Sequence, residues 1–462
     1  MSLLSLTKIE TKKLNMKKRF AYSALFVLFV AASAFVFTRV KNHNGKIESI
    51  YSELLPRKTS LAYAAEWTVV KNNADVLIKK LDENPSDIKS MLALTALYIQ
   101  EARNTGNFNY YNEAALKCIN SILEKDKKNF EALTFKATIL LSQHRFTEGL
   151  AIAIQVQQLY PYNAYVYGLM VDGYVESGKY KEAIEAADKM ISIRPDNRSY
   201  SRIAYLREIH GNIPAAIEAM KMALHAGAPG DENTEWCRVQ LGKLFEKIGN
   251  INEAKMHYTI AADNRPNYPY AFAGLARIAT EEKDYNKALG LYMRADSIIA
   301  DHTFKEGIAE IYRLTGQTEK AKKIAEEILN YMKQFSSAGE NKNAGQNEDH
   351  EMAHAYMGVN NYEKALEYAL QEYNRRPANI EVNETVAIVY YERTEYTKAL
   401  SYIEAALKTN CKSPELLCHA GLIYAKAGDK AKAKMFLKEV LKNNPLLPVS
   451  LKTESEQMLA SL

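Results

Sequence analysis

The string His350-Glu351-Met352-Ala353-His354 is the one place in the chain where residue types and spacing suggest a reaction. On a helix it sets two imidazoles one turn apart with a carboxylate between them, an arrangement that holds zinc and activates a water. Catalytic zinc needs a third protein ligand, for which Glu363 and Glu367 on the adjoining predicted helix are the nominees. The preceding Asn347-Glu348-Asp349 is polar and charged, where a zinc-bearing helix of this kind is ordinarily apolar and buried. A zinc-dependent hydrolase is therefore kept as the enzyme alternative, and the preferred reading is of no catalytic residue, no metal and no cofactor. Cys118, Cys237, Cys411 and Cys418 are too sparse for a disulfide framework. Cys411 and Cys418 leave a local bridge open in an oxidising compartment, although two small residues, one of them packed inward, is the simpler account. No phosphate-binding glycine loop, dinucleotide fingerprint or nucleophile elbow occurs.

The elements around that string explain it differently. Small residues after a polar turn recur at Ala183, Ala216, Ala254, Ala288 and Ala321, then at Ala365, Ala399 and Ala433. Their spacings are 33, 38, 34 and 33, and then 34 and 34. Pro161, Pro195, Pro266, Pro377 and Pro445 keep the same beat, with Gly149 supplying the small residue before Pro161. Earlier in each unit stands a second small or apolar residue, as at Ala137, Gly242, Ala276, Ala353 and Gly421, often followed three places on by an aromatic such as Phe245 or Tyr424. Each unit thus reads as two short amphipathic helices around a Gly- or Asn-containing turn. Small residues let the helices approach, aromatics fill the adjoining hollows, and proline closes the second helix. One unit cannot bury its own apolar stripe, so units must stack into a superhelix with a concave inner face. Ala353 and Ala365 belong to this beat, which makes the histidine string the first helix of a repeat.

Over residues 85–448, about ten units, this pattern resembles the tetratricopeptide-repeat (TPR) family, a helix–turn–helix of 34 residues. The stretch from Ser199 to Phe245 is similar to a recurrent bacterial subgroup of it. The resemblance implies an all-α solenoid, a right-handed superhelix of helix–turn–helix repeats, whose concave groove holds a protein or peptide. In that register His350 and His354 face the groove, as do Tyr165 and Asp172, Arg198 and Tyr205, Trp236 and Lys243, Tyr270 and Arg277, Glu306 and Glu310, and Glu384 and Tyr391. Aromatics mixed with both signs of charge suit a peptide ligand. The Lys–Asn set with which some members grip a chaperone's C-terminal carboxylate has no counterpart, so that ligand is not expected.

The formal charge of +5 is unevenly spread. Residues 1–41 carry eight cations against Glu10 alone, a net of +7 that leaves −2 for the remainder. A near-neutral body offers no basic face for phosphates, so nucleic-acid binding is not expected. Lys12, Lys13, Lys17, Lys18 and Arg19 precede the uncharged run Phe20–Thr38. As a helix that run would reach about 28 Å, enough to span a bilayer with the basic end in the cytoplasm. From Met16 the same residues read as a cleavable signal, with Ala32-Ser33-Ala34 as its cleavage site.

The expected order is a basic cytoplasmic segment (1–19), a transmembrane helix or signal core (20–38) and a linker (39–59). A first repeat block (60–333), a polar insertion (334–349), a second block (350–448) and a capping helix (449–462) follow. The expected function is a non-catalytic scaffold that binds a partner protein outside the cytoplasmic (inner) membrane, anchored by a single pass. A secreted or periplasmic form is the alternative location, and a self-assembling structural scaffold the third functional reading.

Overall fold

The computed structural model describes residues 49–58, 65–337, 347–443 and 445–462. The expected basic segment, membrane span or signal core and cleavage site lie outside them, as do residues 338–346 of the expected insertion. Two compact units divide between Ser52 and Glu53, and the helices described all belong to the second, Glu53–Leu462.

The described residues form 22 α-helices and one short 3-10 turn, with no strand among them. After the leading helix Ala65–Glu83 they pair off, from Ile88–Thr105 with Phe108–Lys125 to Pro414–Lys426 with Lys430–Lys442, and Val449–Ser461 closes the array. Each helix packs on the next, and the first helices of most successive units also pack on one another. Asn or Asp begins many of them, because its side chain satisfies backbone N–H groups that the first turn leaves free. Asn163, Asn250, Asn379 and Asp429 do this, and Asp196 closes a full capping box with Ser199.

The turn inside each unit is built the same way nine times. A residue with positive φ ends the first helix: His144, Gly178, Gly211, Gly249, Lys283, Gly316, Asn360, Thr394 and Gly428. The next N–H then reaches back five residues to a helix carbonyl, as Lys179 does to Tyr174 at 2.8 Å and Asp429 to Tyr424 at 2.9 Å. This is the Schellman bond that satisfies the last orphan carbonyls. It fixes the angle at which the second helix folds back, and Ala183, Ala254, Ala288, Ala365, Ala399 and Ala433 are fully buried where the two helices touch.

Residues about 200 apart in sequence also meet, roughly six repeat lengths on. The turns inside early units seat on the loops between later ones. Gly106 lies against Ile299, Gly178 against Ala378 and Gly211 against Asn410. The Gln143 carbonyl accepts from Asn347 N–H at 2.9 Å, and the Glu246 carbonyl from Leu446 N–H at 3.1 Å. Tyr180 Oη accepts from Ile380 N–H at 2.9 Å, and Arg376 pairs with Glu176.

Two stretches differ from the expected boundaries. Within residues 53–58, assigned to a linker, Leu54 and Arg57 are buried, and Arg57 pairs with buried Glu101 at 2.5 Å. The helix Thr318–Ser337 continues beyond Lys333, where the polar insertion was expected to begin, because helical hydrogen bonding does not require an apolar side chain at each position. A Cβ on Gly178 would come within 2.3 Å of the Ala378 backbone, whereas one on Gly428 meets nothing within 4 Å. Both positions have positive φ. Gly428→Ala should therefore cost about 1 kcal/mol for its backbone alone, and Gly178→Ala at least about 2 kcal/mol more. Urea unfolding midpoints compare them, and equal costs would show that the Gly178–Ala378 contact contributes nothing.

Candidate functional site

In six first helices the residue after the small one forms a ladder along the array: Asp172, Tyr205, Lys243, Arg277, Glu310 and His354. Most of the groove residues expected from the sequence are engaged with one another or with neighbours. Arg202 donates twice to Asp172, at 2.8 and 2.6 Å. The Arg198 guanidinium lies 5.4 Å from the Tyr165 ring centre, and Tyr165 Oη meets Thr138 Oγ1 at 3.1 Å. Tyr205 donates to Glu381 at 3.2 Å, Tyr391 donates to Glu454 of the closing helix at 2.7 Å, and Glu384 faces His419 Nδ1 at 2.8 Å. Trp236 is 38 % exposed. A register can say which way these side chains face, but the pairing depends on which unit comes next to which.

A cavity of about 520 Å³ lies along the array, a size that suits a small ligand or a short stretch of chain. Lys243, Tyr270, Arg277, Glu306 and Glu310 line it, together with the segment Leu446–Ser450. Three successive first helices, Glu232–Lys247, Pro269–Glu281 and His302–Leu314, supply most of the charged groups, and Glu415 of Pro414–Lys426 adds another carboxylate. Arg277 donates to Glu246 at 3.1 Å and to Tyr258 Oη at 3.1 Å. Tyr258 is fully buried, and its ring fills the slot left by Gly242 and Gly274, where an added Cβ would come within 2.5 and 2.7 Å of it. Sequence reasoning missed Tyr258. Two mid-helix glycines flanking an aromatic on the intervening helix were the available signal.

Two cavity residues stand apart from this pairing. Lys243 makes no hydrogen bond or ion pair among the described residues, and burial, reinforced by the Arg277 charge, brings its ammonium down to about 8. Glu306 lines the cavity with its side chain exposed, and the protein around the cavity raises its carboxyl above the ordinary range. Glu310 accepts from Arg313 on one oxygen at 3.0 Å, while its buried Oε1 has no partner among the described residues.

The histidine string sits one unit further on, in Asp349–Gly358. The His350 and His354 ring centres are 4.8 Å apart, and His354 Nε2 meets Thr385 Oγ1 at 3.2 Å. Burial drives His350 down to about 4 and His354 to about 3, so both are neutral at pH 7. Glu351 turns toward His144 at 3.5 Å. Glu363 and Glu367 are exposed on the following helix, and Glu367 pairs with Lys364 at 2.6 Å. Among the described residues no three His, Cys, Asp or Glu side chains stand where they could hold a metal ion. Ala353, between the histidines, is fully buried as a repeat requires. All four cysteines are buried free thiols, Cys411 and Cys418 included.

This fold and groove define an all-α, TPR-like helical solenoid. A tetratricopeptide-repeat family model matches residues 164–197 and 414–445, two of the helix pairs of the array. No curated protein matches the chain. Among solved structures the chain is similar to the APC/C hetero-tetramer Cut9–Hcn1, at 15% identity and a TM-score of 0.44, over 80% of this chain and 67% of that one. It is similar to a human IFIT1 dimer with PPP-AAAA at 16% identity and a TM-score of 0.46, over 76% and 79%. A tetratricopeptide repeat protein from Parabacteroides merdae is 17% identical with a TM-score of 0.31, over 57% and 98%.

The two depressed histidines bind protons in the unfolded chain before they do in the folded one. The stability they leave intact above pH 6.5 is thus lost progressively as pH falls toward about 4. Thermal unfolding at pH 7 and pH 4.5 should show this loss. The double variant His350→Gln, His354→Gln should remove roughly 2 kcal/mol or more of it; an unaltered acid response would mean the rings are not buried as described.

Proposed function

We propose that residues 53–462 form a non-catalytic interaction scaffold that holds a segment of a partner protein in the inner groove, at the cavity between Lys243 and Glu310. The observation that carries this reading is the composition of that cavity. Many of the expected groove charges pair with neighbours, whereas in this cavity Lys243, Glu306 and Oε1 of Glu310 have no partner among the described residues and stand beside the rings of Tyr270, Tyr292 and Phe304. Aromatic rings supply contact area at small entropic cost, and unpaired charges set register and exclude wrong partners.

The location belongs to the same proposal. The uncharged run Phe20–Thr38 behind its basic cluster supports a single pass through the cytoplasmic membrane with the repeats outside it. Among the described residues no helix is long and apolar enough to cross a membrane, and the run itself lies outside them. Tethering would concentrate the partner at the membrane surface. Cleavage after Ala34 would instead release a secreted or periplasmic form.

With the full chain as bait, partner capture should fall at least tenfold when Trp236, Tyr270 and Arg277 are changed together to Ala, and unchanged capture would place the partner on another face. Deleting residues 20–38 should move the chain from the membrane fraction to the cytosol; continued membrane recovery would remove the tether from the account.

A further inference from the structure

The cavity is polar in the electrical sense, and its polarity runs along the ladder. Lys243 stands on its first helix, Arg277 on the next is neutralised by Glu246, and Glu306 and Glu310 stand one turn apart on the third. Adjacent packed helices lie 8–10 Å apart, so the positive and negative ends are separated by about 16–20 Å. An extended chain covers that distance in about five or six residues. Between the ends the cavity is floored by Tyr270 and Phe304.

The protein's own chain shows that an extended segment fits this wall. Residues 445–448 are non-helical, Leu446 N–H donates to the Glu246 carbonyl at 3.1 Å, and Leu447 is buried. Lys452, at the start of the closing helix, reaches Glu281 at 2.9 Å and holds the segment in place. A second strand of chain laid beside it would find Lys243 toward one end and Glu306 toward the other, with the Glu415 carboxylate also on the lining.

We propose that the cavity takes an extended peptide segment of about five or six residues with a carboxylate at one end, a guanidinium or ammonium at the other and an apolar side chain between them. The carboxylate pairs with Lys243, and the cation with Glu306 and the free Oε1 of Glu310. The apolar side chain lies on Tyr270 and Phe304. A uniformly acidic or basic segment is satisfied at one end and repelled at the other, so selectivity comes from rejection as well as attraction. This assignment rests on the scaffold reading of the same cavity and narrows it to one class of segment.

The test uses the full chain and four end-capped fluorescent hexapeptides. One is Asp-Ala-Leu-Leu-Ala-Arg, and the others carry Asp at both ends, Arg at both ends, or Ala at both ends. By fluorescence anisotropy the mixed peptide should bind at least tenfold tighter than each of the others. Lys243→Gln should abolish its advantage over the doubly basic peptide, and Glu306→Gln its advantage over the doubly acidic one. Lys243→Met serves as a second variant, and thermal midpoints confirm that each variant folds. Equal binding of all four peptides, no binding of the mixed one, or preferences that survive both substitutions would overturn the assignment. If the triple groove variant loses its partner while the peptides are not distinguished, the scaffold reading stands and this narrower one falls.

Discussion

A pair of helices about thirteen residues long cannot cover its own apolar face, and this shortage governs residues 53–462. Nine pairs are closed by a left-handed residue and a Schellman bond, which fix the angle between their helices, and in most of them a fully buried alanine at the crossing fixes their distance. With both fixed, the stripe that remains uncovered points at the next pair. Stacking then repeats one small rotation until residues about 200 apart meet.

That meeting changes what the inner face is. An open groove would leave its side chains in water, but here Glu176, Arg376 and Tyr180 join early units to later ones, and Tyr205 reaches Glu381 across the interior. Surrounded by protein, a charge in the interior must be paired or bear a desolvation cost, and most of them are paired. Among the described residues Lys243, Glu306 and Oε1 of Glu310 are exceptions that share one cavity. The closing segment Leu446–Ser450 forms its wall, so the end of the array helps to shape a site on its middle.

The histidine string shows why local motif and global packing must be read together. His350 and His354 do stand one turn apart with facing rings, as helical spacing requires. Their surroundings hold no third donor among the described residues, and burial keeps both rings neutral. Ala353 is at zero exposure between them, which is the demand of a repeat helix, and that demand accounts for the residue on its own.

The helices and their pairing were legible from the sequence because they depend on interactions within one repeat length: apolar periodicity, small residues at crossings, Asn and Asp caps, and turn residues tolerant of positive φ. The register likewise placed Lys243, Tyr270, Arg277, Glu306 and Glu310 on one face. It could not separate them from Asp172, Arg198, Tyr205, Glu384 or Tyr391, since facing inward is a local property and having a partner is not. Arg202, Glu381, His419 and Glu454 supply those partners from neighbouring units or from most of a superhelical turn away. Only the tertiary structure decided which charges are neutralised and which are left for a ligand, because Coulomb pairing depends on distance through space, and a repeating sequence looks the same at every unit until the units are stacked.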